Sequence, residues 1–300
     1  LGHPVGAREF IAAAETQLSR QPLDNSRAGV SVYATVANIY QQLGEPLRAA
    51  ELLRTAIAHL PSAAARDTDL LRADLKDELA SALLGISDLD GAAAANAESE
   101  ALRARWLPND PAQQLRTLRN RGWIAYRRGL TTQARPDLEA ALALAERHPE
   151  LLDERIEDSI AALSDIEMRA GDLDLADRHA QQQLQRVEAR TPAQHPDRIP
   201  AMRQRAAVLN QLGRYGEAQA MLRAAITMHE TVIGDSGARL ADLENDLTVS
   251  LNDSGDALAA LPHAERAMTL TDLSRNSSLD RALILMNLSS TFENAGDYPR

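Results

Sequence analysis

The 300-residue chain contains no cysteine, and of its residues only 3 % are aromatic. The absence of cysteine excludes disulfides, thiolate zinc sites and cysteine nucleophiles, and leaves the compartment undecided. The scarcity of Phe, Trp and Tyr argues against a β-sandwich or barrel, whose pleated surfaces favour aromatic and β-branched side chains. No run of about 18 apolar residues occurs, so no segment is expected to span a membrane. Residues 1–6 lack the charged-then-apolar order of a signal peptide. Lysine is reduced to Lys76, and arginine supplies the rest of the 32 basic residues. We read that bias as the mark of a GC-rich, bacterial coding sequence. The formal net charge of −11 argues against a general binder of nucleic acid or anionic membrane.

Alanine and leucine are abundant instead, together roughly a third of the chain, a composition that favours helix packed closely on helix. Their placement is periodic. Turn positions fall at Gly44, Ser87, Gly129, Gly171, Gly213, Gly255 and Gly296, spaced 43, 42, 42, 42, 42 and 41 residues apart. Five residues beyond the first six stand Ala49, Ala92, Ala134, Ala176, Ala218 and Ala260. Seven residues before the turns stand Ala37, Ala80, Gly122, Ser164, Ala206, Thr248 and Ser289, all small. Twelve residues after the turns the pattern is again small, with Gln183 the misfit. A tight turn between antiparallel helices needs glycine where the first helix ends left-handed. Small residues are needed where the axes come closest. One hairpin cannot bury both faces, so neighbours must stack. The expected first helices are 27–43, 66–86, 111–128, 151–170, 196–212, 237–254 and 278–295. The expected second helices are 46–60, 88–106, 131–147, 173–190, 215–233 and 257–274.

Stretches such as Ala37-Asn38-Ile39-Tyr40-Gln41-Gln42-Leu43-Gly44 followed by Arg48-Ala49-Ala50-Glu51-Leu52-Leu53-Arg54-Thr55-Ala56 resemble the tetratricopeptide repeat (TPR) family. The 42-residue period resembles its longer, kinesin-light-chain-like variety, as do Pro136 and Pro262, each seven residues after a turn glycine. The resemblance implies an all-α fold, an α–α solenoid forming a right-handed superhelix of antiparallel helix hairpins. It covers residues 27–300 as six full repeats and the first helix of a seventh. Residues 1–26 are expected to form a leading helix and linker packed on the first repeat. Within them Ala7-Arg8-Glu9-Phe10-Ile11 resembles the helix that opens the TPR region of bacterial serine/threonine protein kinases. Both ends are expected to continue in the natural protein. Repeat two departs from the pattern with Ser87, and repeat four with Glu167 where the family prefers an aromatic residue or leucine.

No phosphate-binding glycine loop, nucleophile elbow or H-E-x-x-H motif occurs, so no catalytic site, metal or cofactor is expected. No two histidines stand four apart on a helix. His59 and His148 are expected to close helix C-termini, where a histidine meets the negative end of the dipole.

The resemblance places first helices along a concave groove. In repeat three the groove positions are Arg116, Arg119, Trp123, Tyr126 and Arg127, which share one helical stripe. Residues 101–135 carry eight arginines against Asp110 alone, and hold both tryptophans of the chain. Two readings of this stripe stand side by side. It is a pocket for a protein or peptide segment bearing Asp, Glu, phosphate or a free C-terminus. Or its arginines are neutralised within the array by Asp74, Asp77 and Glu78 on one side and Asp158 and Asp165 on the other. The array does not carry the carboxylate clamp of chaperone-binding members of that family: Asn38 in the first repeat matches one of its asparagine positions, but Ala34 and Ser31 stand where the clamp has lysine. The expected function is a noncatalytic protein-binding scaffold with no nucleic-acid partner and no membrane insertion. Its expected context is the regulatory or sensory segment of a larger bacterial signalling protein, the alternatives being part of a transcription regulator or a stand-alone adaptor.

Overall fold

The computed structural model describes residues 27–42, 45–151, 156–234, 237–274 and 278–296. The expected leading helix and the first turn glycine, Gly44, lie outside the described residues. The described residues form thirteen α-helices and no strand. The chain divides into two compact units, residues 1–153 and 154–300.

The first unit holds α1 (Arg27–Gln42), α2 (Pro46–Ala58), α3 (Arg66–Gly85), α4 (Leu89–Trp106), α5 (Pro111–Arg127) and α6 (Thr131–Arg147). They pack as the consecutive hairpins α1/α2, α3/α4 and α5/α6, with α2 on α3 and α4 on α5. The second unit holds α7 (Ile156–Ala170), α8 (Leu173–Arg190), α9 (Arg198–Gln211), α10 (Tyr215–Val232), α11 (Ala238–Asp253), α12 (Ala257–Ser274) and α13 (Ser278–Asn294). It repeats the arrangement as α7/α8, α9/α10 and α11/α12, with α13 packed on α12 and α11. The helices lie within a few residues of the expected ranges.

The turns account for that agreement. Gly129, Gly171, Gly213, Gly255 and Gly296 all have positive φ, between 72 and 85°, and Ser87 joins them at 60°. The residue after the turn then bonds back to the last full helical turn: Leu130 N–H donates to the Ala125 carbonyl at 2.9 Å and Arg214 N–H to that of Leu209 at 2.9 Å. This closure satisfies carbonyls that a helix end otherwise leaves open. Among the described residues four aspartates restart the chain as side-chain caps. Asp88, Asp110, Asp172 and Asp256 accept from the backbone N–H groups of Gly91, Gln113, Leu175 and Ala259.

Each repeat's core is set by the small residues. The six alanines five beyond the turns are all 0 % exposed. Facing them, Ala37, Ala80, Ser164, Ala206 and Thr248 are buried, and so is Gly122. At Gly122 the approach is close, because an added Cβ would lie 2.8 Å from Leu138 Cγ and 3.1 Å from its backbone nitrogen. Leucine and isoleucine fill the flanks: Leu53, Leu75, Leu83 and Leu115 in the first unit, Ile160, Leu163, Leu209 and Leu240 in the second.

Candidate functional site: the open face of α5

Helix α5 begins where Asp110 caps it and Pro111 occupies its first turn, and ends at the left-handed Gly129. Leu115, Gly122 and Ile124 face the core. The five candidate residues occupy different environments. Trp123 and Tyr126 are half-buried and touch, with ring centroids 5.3 Å apart and planes tilted by 36°. Arg127 is exposed, and its Nη2 donates to the Leu84 carbonyl of α3 at 3.4 Å. Among the described residues no carboxylate pairs with it. Arg116 is half-exposed, reaching Asp74 at 3.3 Å and Asp77 at 3.4 Å across to α3. Arg119, expected on the open stripe, is only 6 % exposed, and its guanidinium donates to Asn120 Oδ1 at 2.9 Å. The stripe thus opens to solvent at Trp123, Tyr126 and Arg127, with Arg116 at one end and Arg119 beneath.

Most of the surrounding positive charge is spent inside the unit. Arg103, 2 % exposed, donates to Asp77, Asp74 and Ser99. Arg105 lies 5.0 Å over the Trp106 ring and 3.8 Å from Asp69. Trp106 Nε1 donates to the same Asp69 at 3.0 Å. Arg121 grips Asp137 through two bonds of 2.6 and 2.5 Å, which raise its pKa above the ordinary arginine value. Arg128 meets Asp90 at 2.5 Å. The acids come from α3, α4 and α6. Internal pairing therefore holds for Asp74 and Asp77, and it leaves Arg127 as the exposed cation next to the aromatic pair.

The second unit uses the same cross-repeat pairing. Arg203 on α9 bonds Asp246 and, at 3.2 Å, Asp242 on α11. Burial works against its charge, but the two carboxylates outweigh it and raise its pKa. Two histidines there were not singled out by sequence reasoning. His179 meets the fully buried Glu167 at 2.6 Å, and His263 meets the fully buried Glu244 at 2.6 Å. Arg266 also reaches Glu244, at 2.7 Å. Both histidines stand eight residues after their turn glycine, and that shared phase is the signal by which they could have been found. His59 and His148 close α2 and α6: His59 Nδ1 lies 2.8 Å from the Thr55 carbonyl, and His148 Nδ1 lies 2.9 Å from Glu150.

Comparison with known proteins places this architecture. Residues 158–231 match the family described as tetratricopeptide repeat. No curated protein matches the chain. Among solved structures, BtubC (BKLC) from P. vanneervenii is 19 % identical, over 70 % of this chain and 85 % of that one, with a TM-score of 0.57. A signal transduction ATPase with numerous domains and a tetratricopeptide repeat sensor, from Pyrococcus horikoshii, is 17 % identical with a TM-score of 0.66. That match takes in 97 % of this chain but 42 % of the ATPase, so this chain spans less than half of its length. The apo form of RapI is 11 % identical, over 90 % of this chain and 72 % of that one, with a TM-score of 0.67. Residues 158–231 are matched by the tetratricopeptide repeat family itself, the same 42-residue hairpin recurs on either side of them, and the fold of the chain is that of a tetratricopeptide-repeat α-solenoid.

Proposed function

We propose that the array is a noncatalytic scaffold that binds a protein or peptide segment, and that α5 supplies the contact in the first unit. The observation that carries this reading is the Trp123–Tyr126 pair, left half-open beside the exposed Arg127 while neighbouring arginines are neutralised. A rigid aromatic pair takes an apolar anchor at small entropic cost, and aromatic–arginine clusters are typical binding hot spots. Arg127 then selects an anchor flanked by a carboxylate, a phosphate or a free C-terminus, each matched by its planar fork. Arg116 joins by exchanging Asp74 for the ligand, which costs little because a half-exposed ion pair is weak. Arg119, buried beneath, holds the position of Asn120 and stiffens the helix under the site.

The test is partner capture with the wild-type chain and with Trp123→Ala and Arg127→Glu. Each substitution is expected to weaken capture at least about tenfold, the loss that about 1.4 kcal/mol of contact energy implies. Unchanged capture by both variants would falsify the site. The context we propose is the regulatory or sensory segment of a larger signalling protein. Likeness of fold to the repeat-bearing signal transduction ATPase supports it. Sequencing outward from both ends tests it: an adjoining catalytic domain is expected, and an adjoining DNA-binding domain would make the array part of a transcription regulator instead.

A further inference from the structure

Arg116 and Arg127 stand eleven residues apart on α5. That is close to three full turns, so both project from one side of the helix, with Trp123 between them. The helical rise separates their backbones by about 16 Å. Both guanidiniums lean the same way, onto α3: Arg116 meets Asp74 and Asp77, and Arg127 meets the Leu84 carbonyl. Those partners lie seven to ten residues apart along α3, a rise of about 10–15 Å. The two helices therefore hold two cationic heads about 10–16 Å apart along the line where they meet.

Each head can be released to a ligand at small cost. Asp74 and Asp77 are also bonded by the buried Arg103, so Arg116 can turn away without leaving either carboxylate unpaired. Arg127 gives up one long bond to a backbone carbonyl. Between the heads, the half-buried Asn120 occupies the turn before Trp123, so apolar contact is confined to the Trp123–Tyr126 pair near Arg127. A docked helix needs an apolar stripe with anchors at i, i+3, i+4 and i+7, and this strip offers a single apolar place. An extended segment advances about 3.3 Å per residue, so side chains four or five residues apart span about 13–16 Å. Building on the reading of α5 as the contact site, we infer that the strip takes an extended acidic peptide with two carboxylates four or five residues apart and one apolar side chain between them. Arg116 holds one carboxylate and Arg127 the other, and the apolar side chain lies on Trp123 and Tyr126. The separation of the two acids, not the amount of negative charge, selects the ligand.

Fluorescence anisotropy of labelled peptides at low salt tests the inference on the 300-residue chain. The peptides share one length and one net charge in a serine background. A leucine stands two residues after a fixed glutamate, and a second glutamate is moved outward from three to eleven residues away. Affinity is expected to peak at separations of four and five, about threefold to fivefold above separations of nine to eleven. Arg116→Gln is expected to flatten that profile with an unchanged helical signal, because Arg103 still holds both acids of α3. A flat profile in the wild type overturns the inference, as does a peak at seven to eleven, the spacing of a helical ligand. A series that does not bind at all overturns it too. The broader reading of α5 falls on a different result, unchanged partner capture by Trp123→Ala and Arg127→Glu.

Discussion

The guanidinium of Arg103, at the end of α4, is locked onto the Asp77 carboxylate of α3, and both side chains are almost wholly buried. Asp74 and the Ser99 hydroxyl occupy further donors of the same guanidinium. Such a pair is costly to break singly, because the survivor is left buried and charged. Arg103→Ala or Asp77→Ala alone is expected to cost about 3–5 kcal/mol in denaturant unfolding. The double replacement Arg103→Met/Asp77→Leu is expected to cost far less than the sum, because no orphaned charge remains. Additive losses would mean that the two residues act separately.

The turn after α3 is built like the others but with the wrong residue for its backbone. Ser87 holds φ at 60°, where the other described turns have glycine. A non-glycine residue in that region pays about 1–2 kcal/mol, part of which glycine returns through its freer unfolded chain. Ser87→Gly is therefore expected to stabilise the protein by about 0.5–1 kcal/mol. Gly213→Ala is expected to do the opposite by a similar amount. An added Cβ there meets nothing within 4 Å, so the loss is purely conformational. Thermal melts of the two variants that move in the same direction would contradict this account.

These turns also show why so much of the fold was legible. A left-handed residue every 42 positions, alanine five later and a small residue seven earlier are backbone requirements, and backbone requirements leave few residue choices. The candidate site was less legible, because an arginine's partner depends on long side chains reaching between helices. Arg103 finds its acids 26 and 29 residues away, and Arg116 finds the same two at 39 and 42. The stripe pattern placed Arg119 alongside Arg116, yet the first is buried and the second half-exposed. Helical spacing alone does not distinguish the edge of a face from its centre. Glu167 looked like a departure from the family pattern, and its partner His179 across the hairpin explains how a carboxylate is tolerated there.

Gly122 tests the close approach of α5 and α6. In a free helix, glycine to alanine gains about 1 kcal/mol. Here the new methyl would press on Leu138, which is 0 % exposed and has no room to retreat. Overpacking of this kind costs about 1–3 kcal/mol, so Gly122→Ala is expected to lower stability on balance. Gly122→Ala/Leu138→Val is expected to recover part of the loss by vacating the space. A stabilised single variant would show that the helices separate at little cost.

Glu157, in the first turn of α7, is 7 % exposed, and its Oε2 has no hydrogen-bond partner. Burial raises its pKa above the ordinary carboxylate value, and this outweighs the opposing backbone hydrogen bond and the pull of Arg186 and Arg190, each 3.7 Å away. The sign of the pH effect follows from linkage. The folded chain binds this proton more tightly than the unfolded chain does, so stability falls as pH rises from the unfolded pKa through the folded one. Above the folded pKa the side chain is charged, and folding carries the full cost of burying that charge. Glu157→Gln mimics the protonated form and removes the cost. The variant is expected to melt above wild type at pH 7, with the gap closing below the ordinary glutamate pKa, near about 4.3. Melts recorded from pH 3.5 to 7.5 decide it. A variant that melts below wild type at pH 7, with the deficit shrinking in acid, would mean that the attraction of the two arginines outweighs the burial.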